Sequence, residues 1–320
     1  MRLSADVGGT FTDLVVETAD GAFQLYKAPT VPSDPVVGVL AAIELAAAAA
    51  GRPRQAFLAD VGMFIHATTR STNAILTNET ARTAFLATAG HPDILLYREG
   101  GRNEPFNYTI PYPDPLVPRS LTFEVPERIG QAGQIVIPLD EAALPAIFER
   151  MERKEVEAIG VCLLWSVVNP VHELRVGELI DRHLPGVPYT LSHQLNPAIR
   201  EYRRASSTCM DASLKPLMSS YLGTLQARLA AAGFKGRLLT VTSHGSVVDA
   251  AFMAEAPIHS VKSGPAMAPI AGRYYAREDA GSDMAIVADT GGTSYDVTLV
   301  RRGTIPGPVR PGWANACAAI

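Results

Sequence analysis

Two short stretches of the chain, ADVGGTFTDLVV at residues 5–16 and ADTGGTSYDVTLV at residues 288–300, share the pattern D-x-G-G-T-x-x-D. Asp6, Gly8, Gly9, Thr10 and Asp13 match Asp289, Gly291, Gly292, Thr293 and Asp296 without a gap, 283 residues apart. At average residue usage the pattern arises about once per million start positions, so two copies in one chain are not coincidence. Paired glycines offer positive φ and let a turn tighten, and they leave backbone N–H groups uncovered. Consecutive bare amides form a nest for anionic oxygen. Thr10 and Thr293 add hydroxyl donors. Asp6 and Asp289 end their strands just before the glycines, where a carboxylate beside a phosphate is repelled unless a cation intervenes. Mg²⁺ (or Mn²⁺) meets that need, because it binds through one or two carboxylates, phosphates and water. Asp13 and Asp296 either brace the hairpins or reach the water shell of the metal. The repeat therefore predicts two loops that grip one polyphosphate from opposite sides of a cleft.

The elements that must position these loops are legible in outline. Residues 2–7 and 14–18 read as strands joined by the first loop, and FQLYKAP as a third. Asp34-Pro35 reads as a helix start, with Asp as N-cap and Pro at N1, and Gly51 fits the position just past the helix end. RTAFLATAG and AIGVCLLW are continuous apolar runs, as expected of buried strands. DEAALPAIFERMERKEV, NPVHELRVGELIDRHLP and APIAGRYYARED read as helices, and MAIVADT as a strand into the second loop. A proline-rich stretch at 104–120 breaks the pattern. Strands interleaved with helices predict an α/β architecture, with a domain boundary near 185–197 that separates residues 1–190 from 191–320.

Further polar groups stand at element ends. His66, Thr68, Thr69 and Asn73 either line the phosphate or substrate site or cap a loop. Ser263 and Gly264 precede a helix, whose amides either face an anion or are simply capped. Arg98, like Arg102, is a planar bidentate donor that could receive a carboxylate or phosphate as a substrate contact, although a solvated surface arginine is the commoner fate. No G-x-S-x-G elbow supports a serine hydrolase.

Composition narrows the classes. Hydrophobic residues make up 47% of the chain, ample for a core, and the net charge of −4 argues against nucleic acid or an anionic membrane as partner. The three cysteines are scattered without metal-ligand spacing, which suits structural thiols in the cytoplasm. The alanine-rich run at 36–51 is too short and too weakly apolar to span a bilayer.

The paired loops resemble the phosphate loops of the actin-like ATPase superfamily, which has a ribonuclease H-like fold with mixed sheets flanked by helices. Other segments narrow the resemblance to the hydantoinase A/oxoprolinase family: HATTRSTNAIL at 66–76, HPDILLYREGGRNEPFNY at 91–108, NPAIREYRRASST at 196–208 and KSGPAMAP at 262–269. TSHGSV at 242–247 and STCMDASL at 207–214 depart from that family's pattern. The family includes ATP-dependent hydantoinases, 5-oxoprolinase and subunits of acetone and acetophenone carboxylases. The resemblance implies ATP and Mg²⁺, a small-molecule carbonyl substrate (a cyclic amide or a ketone), phosphorylation of a carbonyl-derived oxygen, and other subunits of a complex as partners. It implies that Asp6, Gly8, Gly9, Thr10 and Thr12 take one side of the phosphates and Asp289, Gly291, Gly292 and Thr293 the other, with Asp289 the first choice for a catalytic base. Family members run to about twice this length, so the second domain is expected to be incomplete at its C-terminus. That fits either a short, epsilon-type accessory subunit, with a non-catalytic scaffold as the alternative, or a truncated product.

Overall fold

A computed structural model describes residues 1–99, 106–290 and 295–305, except the side chain of Pro265. The chain opens as three antiparallel strands, β1 (Arg2–Val7), β2 (Phe11–Glu17) and β3 (Phe23–Pro29), followed by the helix α1 (Pro35–Ala49). This is the β-β-β-α order read from the sequence. Period-two alternation explains the strands: Leu3, Ala5 and Val7 of β1 and Thr12, Leu14 and Val16 of β2 face the core.

Pro35 does open α1, but the Asp34 side chain makes no capping bond. Its carboxylate instead meets Arg228 Nη1 at 2.6 Å. At the other end Gly51 has φ +64°, Arg52 N donates to Ala47 O and Gly51 N to Ala48 O. That pair of bonds is a Schellman closure, the reason glycine follows the helix.

The chain continues through α2 (Arg54–Ala59), β4 (Met63–Thr68) and α3 (Arg70–Leu76). It then runs through β5 (Thr83–Thr88), α4 (Ile94–Tyr97), β6 (Thr122–Val125), β7 (Arg128–Ile129), β8 (Ile135–Ile137), α5 (Leu144–Glu152), β9 (Ala158–Cys162), α6 (Val171–His183), β10 (Tyr189–Leu191) and α7 (Ser192–Leu195). The long α8 (Glu201–Ala231) follows, with Pro216 inside it. Last come β11 (Arg237–Val241), β12 (Val247–Asp249), α9 (Ala250–Glu255), α10 (Ser263–Ala280), β13 (Ala285–Thr290) and β14 (Tyr295–Val300).

Two compact units result, one formed by Met1–Asn78 with the described residues from Met218 to 305, the other by Glu79–Leu217. The first holds a six-stranded mixed sheet, β12-β11-β4-β1-β2-β3, in which β4 runs parallel to β1 and to β11. Its core joins Leu3, Leu14, Ile43 and Phe64 to Met218, Leu222, Leu225 and Leu229, one stripe of α8. The second unit holds a parallel sheet, β10-β9-β5-β6. All residues of β5 and β9 are buried, as parallel strands covered on both faces require. Among the described residues no helix is long and apolar enough to cross a membrane. Cys162 and Cys209 are free and buried, and burial pushes the Cys162 thiol up to about 12, which makes it inert. Cys317 lies outside the described residues.

Candidate functional site

The first hairpin puts its two acids face to face. Asp6 of β1 lies directly opposite Asp13 of β2, and Asp13 lies opposite Lys27 of β3. Opposed residues of antiparallel strands share a face, so the three form one row, and like charges so placed repel. Lys27 Nζ answers Asp13 Oδ1 at 2.8 Å. Asp6 has no ion-pair partner among the described residues. Its side chain has solvent-accessible surface yet is crowded by protein, and partial burial, then Asp13, then Asp289 raise its pKa above the ordinary aspartate value. The contribution of Asp289 shows that the acids of the two repeated stretches come within electrostatic reach of each other. Asp289 in turn lies opposite Asp296 in the β13–β14 hairpin, so the cross-strand acid pair recurs.

The turn at Gly8–Thr10 differs in one respect from expectation. Neither Gly8 nor Gly9 adopts positive φ. Gly8 N donates to Phe11 O at 3.0 Å, and a Cβ on Gly8 would come within 3.2 Å of that same oxygen, so close approach is what requires glycine there. A Cβ on Gly9 would meet nothing within 4 Å. Among the described residues neither strain nor crowding demands glycine at Gly9, whose bare amide surface is left for a ligand. Among the described residues no backbone partner is taken by the amides of Gly9 and Thr10. The Thr10 carbonyl holds Thr30 N at 2.9 Å, while its side chain is exposed.

Thr12 is a correction. It is wholly buried on the opposite face of β2, its hydroxyl 2.9 Å from Thr30 Oγ1. It lies so tight under α1 that a Cβ on Gly38 would sit 2.7 Å from it. The alternation that presents Asp13 turns Thr12 inward, so Thr12 cannot donate to a phosphate at the loop. Gly291, Gly292 and Thr293 lie outside the described residues.

Because β4 lies beside β1 in parallel, with Thr68 level with Val7, the β4–α3 turn opens at the same sheet edge as the first loop. This carboxyl edge is where open α/β sheets bind ligands. His66 is buried, its Nε2 2.8 Å from the Tyr221 hydroxyl and its Nδ1 without a partner among the described residues. Burial pushes its pKa down to about 4, so the ring is neutral at pH 7. Burial also raises the pKa of Tyr221, and the Arg70 guanidinium lies 5.2 Å from the centre of its ring. Arg70 Nε is a second orphaned buried donor. Two unpaired polar atoms around one phenol mark a place where water or a ligand completes the bonding.

The 66–76 and 262–269 segments, far apart in sequence, are stitched together. Ser71 Oγ lies 2.6 Å from Ser260 Oγ, Lys262 N donates to Thr72 Oγ1, and Ser263 Oγ donates to Thr68 O. Thr68 Oγ1 accepts from Arg70 N, and Asn73 Nδ2 reaches Thr69 Oγ1 at 3.4 Å. The hydroxyls of Thr68 and Ser263 are thus spent on structure, and what remains for an anion there is the N-terminal backbone of α10. A Cβ on Gly264 would come 3.5 Å from Thr69. Further along α10, a Cβ on Gly272 would sit 2.2 Å from Val287, so this helix also carries the second hairpin. Arg98 belongs to the other unit, and Arg102 lies outside the described residues.

Tyr221, Arg70 and Lys27 were not singled out from the sequence. Tyr221 is 155 positions from His66, on a helix with no local signal of its role. Lys27 is recoverable from strand pairing alone. Among the described residues no three His, Cys, Asp or Glu gather as a metal site. Any cation here would draw on Asp6 and Asp289 and on oxygens of a bound ligand, which suits Mg²⁺.

The sequence profile of the hydantoinase/oxoprolinase N-terminal region matches residues 2–184, and that of the hydantoinase/oxoprolinase domain matches residues 204–307. The chain belongs to the hydantoinase/oxoprolinase family. It is 36% identical over 304 residues to the caprolactamase alpha subunit of Pseudomonas jessenii, covering 94% of this chain and 44% of that one. It is 33% identical over 311 residues to the acetophenone carboxylase gamma subunit of Aromatoleum aromaticum, covering 93% and 42%. The crystal structure of the ATP-dependent caprolactamase from Pseudomonas jessenii superposes with a TM-score of 0.83 at 35% identity, covering 93% of this chain and 43% of that one. The nucleotide-free structure of acetone carboxylase does so with a TM-score of 0.82 at 26% identity, covering 95% and 44%. The fold is therefore the actin-like ATPase type. The chain spans less than half the length of these hydantoinase/oxoprolinase relatives.

Proposed function

We propose that this chain forms part of a subunit of an ATP- and Mg²⁺-dependent enzyme that opens a cyclic amide or carboxylates a ketone. In this reading the amides of Gly8, Gly9 and Thr10 take phosphate oxygens from one side, and Gly291, Gly292 and Thr293 from the other. Asp6 and Asp289 hold the water shell of Mg²⁺, and Mn²⁺ would serve the same donors. Asp13, braced by Lys27, and Asp296 form the outer acid ring. Asp289 is the first candidate for a base, and the backbone at Ser263–Gly264 for a further anion contact. His66, Thr68, Thr69 and Asn73 wall the substrate side. When ATP binds, it supplies a phosphoryl group: the bond from the γ-phosphorus to the bridging oxygen breaks, a bond to the carbonyl-derived oxygen of the substrate forms, and ADP leaves. The phosphorylated oxygen of an amide would then depart as inorganic phosphate once water has added to its carbon, whereas a phosphorylated enol, formed as a ketone's α proton passes to a base, would give its α carbon to a carbon dioxide donor while water takes the phosphoryl group.

The observation that carries this reading is the reach of the Asp289 charge to Asp6, two acids in equivalent places of the repeat. Such repulsion is what a divalent cation removes. The relatives named as subunits support partners of the same kind. Calorimetry with Mg·ATP is the test, alone and with candidate partner subunits. Saturable binding that EDTA abolishes and that Asp6→Asn weakens at least ten-fold supports the reading. No binding under either condition would leave a non-catalytic scaffold.

A further inference from the structure

The unit formed by Glu79–Leu217 holds a cleft of about 400 Å³ that the phosphate loops do not use. Three arginines line it, Arg98, Arg128 and Arg200, together with the acids Glu99 and Glu201. Glu99 is already engaged by Arg203 Nε at 2.8 Å. His91 Nε2 lies 2.9 Å from Arg128 Nη1, which donates to it. With Arg203 counted beside the Glu99 that it engages, four guanidinium groups stand against two carboxylates, so the cleft carries positive charge in excess. Arg98 Nε is buried without a partner among the described residues. Ile94, Leu164 and the ring of Trp165 supply an apolar wall beside this charge.

Two lining residues hold backbone conformations that their side chains disfavour. Trp165 has φ +58°, and Arg98 has φ +58° with ψ −142°, a region nearly confined to glycine. Such strain persists only where the surroundings fix it, and beside Trp165 they do. Leu163 N donates to Glu173 Oε1 at 2.8 Å, Leu164 N to Thr88 Oγ1 at 2.9 Å, and Leu163 O accepts from Arg204 Nη2 at 2.9 Å. Arg204, wholly buried, also donates Nη1 to Ala198 O at 2.7 Å, just before Arg200. One buried side chain thereby fixes both walls.

We propose that this cleft binds a small carboxylate, whose oxygens are taken by Arg98 and its neighbouring guanidinium groups and whose carbon body lies on Trp165. A guanidinium fork matches a carboxylate in two hydrogen bonds. The excess positive charge suits an anion, and the apolar wall suits a ligand with a hydrocarbon part, which inorganic phosphate lacks. The proposal is independent of the reading of the phosphate loops.

Trp165 is the reporter, since the sequence has one other tryptophan, Trp313, outside the described residues. In the 320-residue chain carrying Trp313→Phe, titration with benzoate is expected to quench fluorescence saturably. Benzamide, the neutral isostere, and inorganic phosphate are expected to bind at least ten-fold more weakly. Arg98→Gly removes a guanidinium and relieves the backbone at once. It should weaken benzoate at least ten-fold while holding or raising the melting temperature, a combination that mere structural damage does not produce. Arg200→Gln, at an exposed position, should weaken benzoate as well and carries the reading if Arg98→Gly proves less stable. Equal quenching by benzamide, preference for phosphate, or undiminished benzoate binding in these variants would overturn the proposal.

Discussion

The β1–β2 and β13–β14 hairpins carry one sequence pattern and one register, Asp opposite Asp in both, but not one environment. Leu3 and Leu14 are wholly buried in the first. Their equivalents in the second, Ile286 and Val297, are 76% and 59% exposed. The first hairpin has β3 and β4 as neighbours in a six-stranded sheet; the second is a two-stranded sheet held by α10. A two-stranded ribbon alone is marginal in water. The repeated pattern therefore encodes the strand register and the placement of its acids, while stability comes from what packs around it.

The largest effect expected from this contrast is on core truncation. Leu14→Ala should cost about 2–5 kcal/mol in urea unfolding, while Val297→Ala should cost less than about 1 kcal/mol. Equal losses would break the comparison. The next concerns β4, which among the described residues has no counterpart beside the second hairpin. Buried His66 titrates near 4, against about 6.5 when unfolded. Between those values the unfolded chain binds a proton that the folded chain refuses, so stability present above pH 6.5 falls as pH drops toward 4, by about 3 kcal/mol in all. His66→Gln should flatten that loss in a pH series of melting curves.

A smaller shift sharpens the pairing of acids. The folded pKa of Asp6 is raised, so the folded state holds that proton more tightly than the unfolded chain. Stability is lost as pH rises from the ordinary aspartate range through the raised value. Asp6→Asn should match the parent in acid, exceed it slightly at pH 7, and lose that advantage when Mg²⁺ is added. The smallest effect is Lys27→Met, which removes an exposed ion pair to Asp13 worth under about 1 kcal/mol.

Much of this was legible before any coordinates. Alternation and end signals located β1 to β3, α1 with its Gly51 stop, and the buried strands β5 and β9. The family segments gave the fold. What local pattern could not supply were facts of pairing. Thr12 reads like Thr10 in sequence, and only the strand's face separates a buried hydroxyl from an exposed one. Gly9 and Gly51 are the same residue, yet one leaves open space and the other adopts positive φ. Asp34 looks like a cap, but Arg228, 194 positions away, takes its carboxylate. Tyr221 reaches His66 only once α8 packs on the sheet.

The central claim is that both hairpins act on one metal-bound nucleotide, and a double-mutant cycle tests it most directly. Mg·ATP affinity is measured by calorimetry for the parent chain, Asp6→Asn, Asp289→Asn and the double variant. The account predicts one binding site per chain, at least ten-fold weakening in each single variant, and a double variant far from additive, because the acids share one cation. Additive losses, or a loss confined to one hairpin, would contradict it.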